Sequence, residues 1–169
     1  MAEASIFGDR ELEFLQELAR QKVEFMIVGL SAAALQGAPV VTQDIDLWFR
    51  ALPDPGLEKA LRKVRGAYVP PTAGTGPMLA GKGIELFDIV CTMDGLDEFD
   101  KEKKHAVKIP LGRTKVPVLK LERIIASKKA AGREKDRLVL KVLSDALIAI
   151  RARKRSRPGS KKDSEKDGG

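Results

Sequence analysis

The sequence predicts an α/β domain, with α+β character, in which a mixed β-sheet is flanked by helices and followed by a helical C-terminal region. Short β-prone runs at residues 24–28 and 84–90 alternate with segments that have the apolar spacing of helices. After Leu119 the apolar residues follow helical spacing only. The 169 residues fit one ordinary domain, which at this size buries enough apolar surface to fold alone.

The N-terminal third predicts a helix, a strand and a second helix. Residues 9–22 carry leucines at helical spacing, with Asp9 as a candidate N-cap and acidic residues in the first turn. Residues 24–28 form a β-prone run that Gly29 stops. Residues 31–36 are mostly small, and Gly37 follows them, which predicts a short helix.

The middle of the chain predicts two more strands around a helix and a loop. Residues 40–49 predict a strand, and residues 56–64 have helical spacing. Residues 67–83 contain so many prolines and glycines that we expect a loop without regular structure. Residues 84–90 predict a strand buried on both faces, where the charge of Asp88 is conspicuous.

The C-terminal part predicts a hairpin and two helices. Residues 106–109 and 114–118 flank a short turn, and the helices that follow end near Gly132 and near Arg151. We therefore expect a core over residues 1–118 and C-terminal helices of the same domain over residues 119–155. Residues 156–169 have almost no apolar side chains, which predicts a disordered basic tail.

Composition excludes several classes of protein. The longest apolar runs are far shorter than the roughly 20 residues of a membrane-spanning helix, so we expect no membrane association through such a helix. Cys91 is the only cysteine, which excludes disulfide frameworks and zinc-ribbon sites and favours a cytoplasmic protein. Residues 151–169 carry most of the net charge of +7, so the remainder is nearly neutral.

Three aspartates are the strongest chemical signal. Asp44 and Asp46 lie two apart on a predicted strand, so their side chains leave the same face of the sheet. Two such carboxylates repel each other unless they take up a proton or bind a cation. With Asp88 from a neighbouring strand they would form an all-oxygen site suited to Mg²⁺, or Mn²⁺, together with substrate phosphates. The alternative interpretation of Asp44 and Asp46 alone is a solvated strand face.

The spacing of these residues resembles a known superfamily. A strand ends at Val28 and Gly29, a helix starts at Ser31, and twelve residues separate Ser31 from Asp44, where the sequence Asp-Ile-Asp-Leu begins. This pattern resembles the minimal nucleotidyltransferases of the DNA polymerase β superfamily, in particular small bacterial members that include toxin-type and uncharacterised proteins. Residues 119–128 and the step Arg-Glu-Lys-Asp at 133–136 are also similar to the helical region of these proteins.

The resemblance implies a set of site residues. Asp44, Asp46 and Asp88 would be both the catalytic residues and the metal ligands. The backbone at the start of the second helix would bind the nucleotide phosphates, because free N–H groups at a helix N-terminus attract anions. The residues implied in nucleotide binding are Gly29, Leu30, Ser31 and Lys128. Capping of the helix is the alternative role of Ser31, and an ordinary exposed helix lysine is the alternative interpretation of Lys128.

Two positions depart from the family pattern. Leu30 stands where these proteins usually have a second Gly or a Ser, and Val40 stands where many small members have an arginine. The resemblance implies a Mg²⁺-dependent enzyme that moves a nucleoside monophosphate from a nucleoside triphosphate to a hydroxyl of a protein or an RNA such as tRNA. A toxin–antitoxin or defence role, with an antitoxin-like protein partner, is a further hypothesis. The alternative is a catalytically degenerate module that binds a nucleotide, RNA or a protein.

Overall fold

The computed structural model describes residues 6–157, and the predicted disorder of residues 158–169 falls outside them. The described part contains six α-helices and seven strands, in the order α1 Asp9–Arg20, β1 Phe25–Val28, α2 Gly29–Leu35, β2 Ile45–Phe49, α3 Pro55–Lys63, β3 Ala67–Val69, β4 Met78–Ala80, β5 Phe87–Val90, α4 Phe99–Glu102, β6 Ala106–Leu111, β7 Thr114–Leu119, α5 Leu121–Ala131 and α6 Glu134–Arg155. A 3₁₀ turn, Lys103–His105, joins α4 to β6.

Five of the strands form one mixed sheet, which confirms the predicted fold class. The strand order is β5-β2-β1-β7-β6. β1 pairs antiparallel with β2 and parallel with β7, and β2 pairs parallel with β5. The hairpin of β6 and β7 was also predicted, and each strand is slightly longer than expected. The central strand β1 is buried along its whole length, as expected for a strand that has neighbours on both sides.

The expected loop at residues 67–83 is wrong at both of its ends. β3 and β4 form a separate two-stranded antiparallel sheet in which Tyr68 lies opposite Leu79. The prolines and glycines lie between the two strands and just after β4, and in the connection Thr72 and Thr75 close a turn through backbone and hydroxyl hydrogen bonds. The prolines and glycines therefore predicted the turn correctly. Because they break regular structure, they also led us to expect no strands on either side of it.

The N-terminal ends of the first two helices differ from the prediction, in the N-cap of α1 and in the start of α2. Gly8, and not Asp9, is the N-cap of α1, and its N–H donates to the Glu11 carboxylate at 2.7 Å. Helix α2 begins at Gly29, two residues before the predicted start. The early start places the first backbone N–H groups of α2 directly at the end of β1.

Gln36 joins α2 to the C-terminal helices. Its amide nitrogen donates to the carbonyl oxygens of Ala32 and Leu119, at 2.9 and 2.8 Å. Its amide oxygen accepts from the N–H of Leu121, at 3.0 Å. One side chain therefore fixes the junction between β7 and α5 against the end of α2. Between residues 6 and 157, no helix is both long enough and apolar enough to cross a membrane.

Candidate functional site

Gly29 and Asp46 make a close contact at the end of β1. Gly29 has a φ of 67°, and a Cβ built on it would lie 2.2 Å from Oδ2 of Asp46. Both the backbone conformation and the space therefore require glycine. The contact seats the Asp46 carboxylate against the first turn of α2.

Replacing Gly29 by alanine should destabilise the protein and displace the Asp46 side chain. The new methyl group would overlap the carboxylate, and a positive φ adds strain, so we expect a loss of about 2 kcal/mol or more in the free energy of unfolding. Gly74 is the matched control, because a Cβ there meets nothing within 4 Å and its φ is not in the left-handed region. Urea unfolding measures both variants, and an equal effect at the two positions would contradict the contact.

The register of the sheet brings Asp88 beside Asp46. The two residues are direct partners in the parallel pairing of β5 with β2, so their side chains leave the same face of the sheet. Burial raises the pKa of Asp46, and the charges of Asp88 and Asp44 raise it further. Burial and the charge of Asp44 likewise raise the pKa of Asp88. Asp46 and Asp88 therefore share one face of the sheet. Asp44 was expected on the same strand as Asp46, but β2 begins only at Ile45, so Asp44 joins the cluster through its charge and not through a strand position.

Asp88 is more exposed than the sequence predicted. The expectation of a strand buried on both faces at residues 84–90 is wrong, because β5 begins only at Phe87 and is an edge strand. Phe87 is buried, but Asp88 is exposed and the last two residues of the strand are half-buried. An apolar run cannot distinguish an edge strand from a central one.

The three aspartates do not form a closed cage. In the part of the chain that the structure describes, no group of three or more His, Cys, Asp or Glu side chains is arranged to hold a metal ion. Asp44 is exposed and precedes β2, and Asp88 is exposed on β5, so both side chains have room to move. Only Asp46 is fixed by packing.

The residues implied in phosphate binding have distinct environments. Ser31 is buried, and its hydroxyl donates to the carbonyl oxygen of Val28 at 3.0 Å, so the hydroxyl neither caps α2 nor faces solvent. Leu30 and Val40, the two departures from the family pattern, are half-buried and pack against the core. The backbone N–H groups of the first turn of α2 remain the anion-binding feature of this segment.

Lys128 lies between two acidic groups. Its ammonium group is 3.1 Å from Oδ1 of Asp136, and its charge lowers the pKa of Asp46. Asp136 is fully buried, and Nε of Arg133 donates to its other oxygen at 2.7 Å. The Arg133 hydrogen bond and the neighbouring Lys128 hold the pKa of Asp136 down to about 2, so its carboxylate stays ionised at neutral pH.

Sequence reasoning gave no role to Asp136 or Lys135. Asp136 was recognised only as the last residue of the step at 133–136, and its burial has no signal in the sequence pattern. The charge of Lys135 also lowers the pKa of Asp46. The C-terminal helices therefore place the positive charges of Lys128 and Lys135 near the aspartate cluster of the sheet.

Two solved structures share this architecture. A crystal structure of ANT(2'')-Ia in complex with adenylyl-2''-tobramycin is similar with a TM-score of 0.54 and 20% identity, over 86% of this chain and 94% of that chain. A solution structure of the antibiotic-resistance factor ANT(2'')-Ia is similar with a TM-score of 0.56 and 18% identity, over 93% and 94% of the two chains. No protein-family model and no curated protein sequence matches the chain. ANT(2'')-Ia is an aminoglycoside nucleotidyltransferase, and the similarity establishes that the chain has the nucleotidyltransferase fold predicted from its strand, helix and Asp-x-Asp pattern.

Proposed function

We propose that the chain is a metal-dependent nucleotidyltransferase that moves a nucleoside monophosphate from a nucleoside triphosphate to a hydroxyl group. The contact of Gly29 with Asp46, together with the in-register pairing of Asp46 with Asp88, carries this proposal. The contact joins a helix N-terminus suited to phosphate with a carboxylate cluster suited to a cation. A reaction between a triphosphate and a hydroxyl needs both at one place.

The donor chemistry of the site fits a divalent cation. Its donors are carboxylate oxygens only, which suits Mg²⁺ or Mn²⁺ better than softer metals. Burial, and after it the charges of neighbouring aspartates, raises the pKa of Asp46 and of Asp88, and a bound cation would favour the ionised form of both carboxylates. Asp44, Asp46 and Asp88 would hold the ion, which when bound neutralises phosphate charge.

The residues of the chain have separate roles in this proposal. Backbone N–H groups of Gly29, Leu30 and Ser31 bind the triphosphate, and the Lys128 ammonium group neutralises charge on the departing phosphates. Asp88 orients the acceptor hydroxyl and accepts its proton. The hydroxyl oxygen forms a bond to the α-phosphorus, the bond from that phosphorus to the bridging oxygen breaks, and pyrophosphate leaves with the electron pair.

The acceptor we propose is a hydroxyl of an RNA or a protein, in a toxin–antitoxin or defence setting with an antitoxin-like partner. The ANT(2'')-Ia complex contains an adenylyl group on tobramycin, so a hydroxyl acceptor is compatible with this fold. Residues 151–169, which carry most of the net charge of +7, favour an anionic acceptor over a cationic antibiotic.

Label transfer tests the proposal. Wild type and Asp46→Ala are incubated with each of the four α-³²P-labelled nucleoside triphosphates, with Mg²⁺ or EDTA, and with total RNA, tRNA, a protein lysate or tobramycin. We expect labelled product only with wild type and Mg²⁺. Absence of transfer to every acceptor, or equal transfer by Asp46→Ala, would contradict the proposed activity.

The second candidate is a module that keeps the cleft and binds a nucleotide or a partner without catalysis. The open arrangement of the aspartates and the apolar environment of Leu30 and Val40 favour this candidate. It predicts that a triphosphate raises the melting temperature of wild type while label transfer is absent. Lys128→Met should then remove the thermal shift.

A further inference from the structure

A groove rich in lysine lies at the start of β1, away from the aspartates. Its volume is about 490 Å³, which is in the range of ligand-binding cavities. We call it the lysine groove and define it by four cations and two apolar residues below them, namely Lys22, Lys103, Lys108, Lys115, Met26 and Phe99. All four lysines are exposed, whereas Met26 and Phe99 are buried.

Three of these lysines have no acidic partner among residues 6–157. Lys22, Lys108 and Lys115 form no ion pair within this range, and only Lys103 has a carboxylate nearby, Glu24 at 3.7 Å. Lysines without an ion pair also occur elsewhere on the described surface, such as Lys59 and Lys63 on α3. In the groove, however, three of them line one cavity together, and this clustering favours an anionic ligand.

The spacing of two lysines suits a ligand with repeated charges. Lys108 lies opposite Pro117 and Lys115 lies opposite Pro110, so the two lysines are diagonal neighbours on one face of the β6–β7 hairpin. Such neighbours are about 7–8 Å apart. This spacing is close to the distance between neighbouring phosphates of an extended nucleic-acid strand, so the two ammonium groups can bind successive phosphates.

The lysine groove and the aspartates lie on the same face of the sheet. Met26 is the partner of Trp48, which follows Asp46 by two residues, and alternate residues of a strand share a face. Two residues span about 7 Å along a strand. Phe99 packs edge-to-face on Trp48, with ring centroids 5.8 Å apart, and so connects the groove to the strand that carries Asp46.

We propose that the lysine groove binds the phosphodiester backbone of a single-stranded nucleic-acid acceptor and directs its terminal hydroxyl toward Asp46 and Asp88. The inference rests on the proposed function and names its acceptor class. Lysine binds phosphate as a compact point charge, and four lysines line the groove. The proposed reaction needs an acceptor hydroxyl, and a nucleic acid supplies a terminal hydroxyl together with repeated phosphates. The two aromatic residues that line it are buried, so binding depends on charge and not on base stacking.

Fluorescence anisotropy with a labelled 12-nucleotide RNA of mixed sequence tests the lysine groove. Full-length wild type is compared with the double variant Lys108→Ala/Lys115→Ala, without triphosphate, from 50 to 300 mM salt. The matched control is Lys59→Ala/Lys63→Ala, which removes the same charge from exposed positions of α3. We expect the groove variant to bind at least about tenfold more weakly at low salt. Its salt slope should fall by about 1.4, because each neutralised phosphate of a single strand contributes about 0.7.

The outcomes separate this inference from the proposed activity. Weaker RNA binding by the groove variant alone supports the groove, even if label transfer fails in every assay. Equal binding by wild type and both variants would overturn the inference, even if transfer to another acceptor succeeds. Unlabelled competitors identify the ligand class. If a polyglutamate peptide displaces the labelled RNA better than a DNA oligonucleotide of equal charge does, the inference is overturned in favour of a protein ligand. Circular dichroism confirms that each variant is folded.

Discussion

Replacing Asp46 by asparagine should reduce nucleotidyl transfer by about a thousandfold or more while making the folded protein more stable. Asparagine keeps the shape of the side chain beside Gly29 but removes the negative charge that would hold the cation, whose electrostatic contribution is several kcal/mol. Asp46 is half-buried among like charges, and these conditions disfavour its ionised form. Removing a disfavoured charge at neutral pH stabilises the fold.

The sign of the stability effect follows from the direction of the pKa shift. A carboxyl whose pKa is raised by folding stabilises the protein below its unfolded pKa, and this stabilisation is lost as the pH rises through the folded pKa. The difference between wild type and Asp46→Asn should therefore grow between pH 4 and pH 7, with the variant more stable at pH 7. Urea unfolding at both pH values measures this, and Asp54→Ala, which removes the N-cap of α3, is a control that should be destabilising instead. A variant of Asp46 less stable than wild type at pH 7 would contradict the electrostatic cluster.

Replacing Asp136 by alanine should give the largest loss of stability, about 2–4 kcal/mol, because two cations lose a buried partner. Lys128 and Arg133 both bond to the Asp136 carboxylate, and the Lys128 side chain is only 19% exposed. The pKa of Asp136 is about 2, so its contribution is complete above the usual aspartate pKa near 4 and is lost as the pH falls toward 2. Chemical unfolding of wild type and variant between pH 2 and pH 7 should show curves that converge at the acidic end.

Asp145→Ala is the matched control for Asp136→Ala. Asp145 also forms an ion pair within α6, with Lys141 at 2.8 Å, but both side chains are exposed. An exposed ion pair contributes less than about 1 kcal/mol to the free energy of unfolding. Equal losses for the two variants would show that burial of Asp136 has no energetic consequence. The proposed activity should also fall in Asp136→Ala, because Lys128 loses the partner that directs it.

The sequence predicted those parts of the fold that depend on local periodicity. Helices α3, α5 and α6, the core strands and the β6–β7 hairpin carry clear patterns of apolar spacing and turn residues. The β3–β4 hairpin was missed because its strands have only three residues each, too few to show alternation. The exposed edge position of Asp88 was missed because strand order is a tertiary property that one strand's composition does not encode.

Residue types and their spacing in the sequence predicted only part of the candidate site. The resemblance assigned Gly29 and Asp46 to one site, but the direct contact between them and the in-register pairing of Asp46 with Asp88 were not predicted. The charge network of Lys128, Arg133 and Asp136 was not predicted, because its members are ordinary helix residues whose importance comes from burial. The lysine groove was not predicted either, since its lysines come from four separate segments of the chain.

The Gln36 side chain couples the two halves of the proposed nucleotide site mechanically. It ties the end of the helix that begins at Gly29 to the first residue of the helix that carries Lys128. A shift of one helix on ligand binding must therefore strain or carry along the other. A triphosphate bound at α2 should consequently slow amide hydrogen exchange at Leu121, although that amide lies on the far side of the linkage from the phosphates.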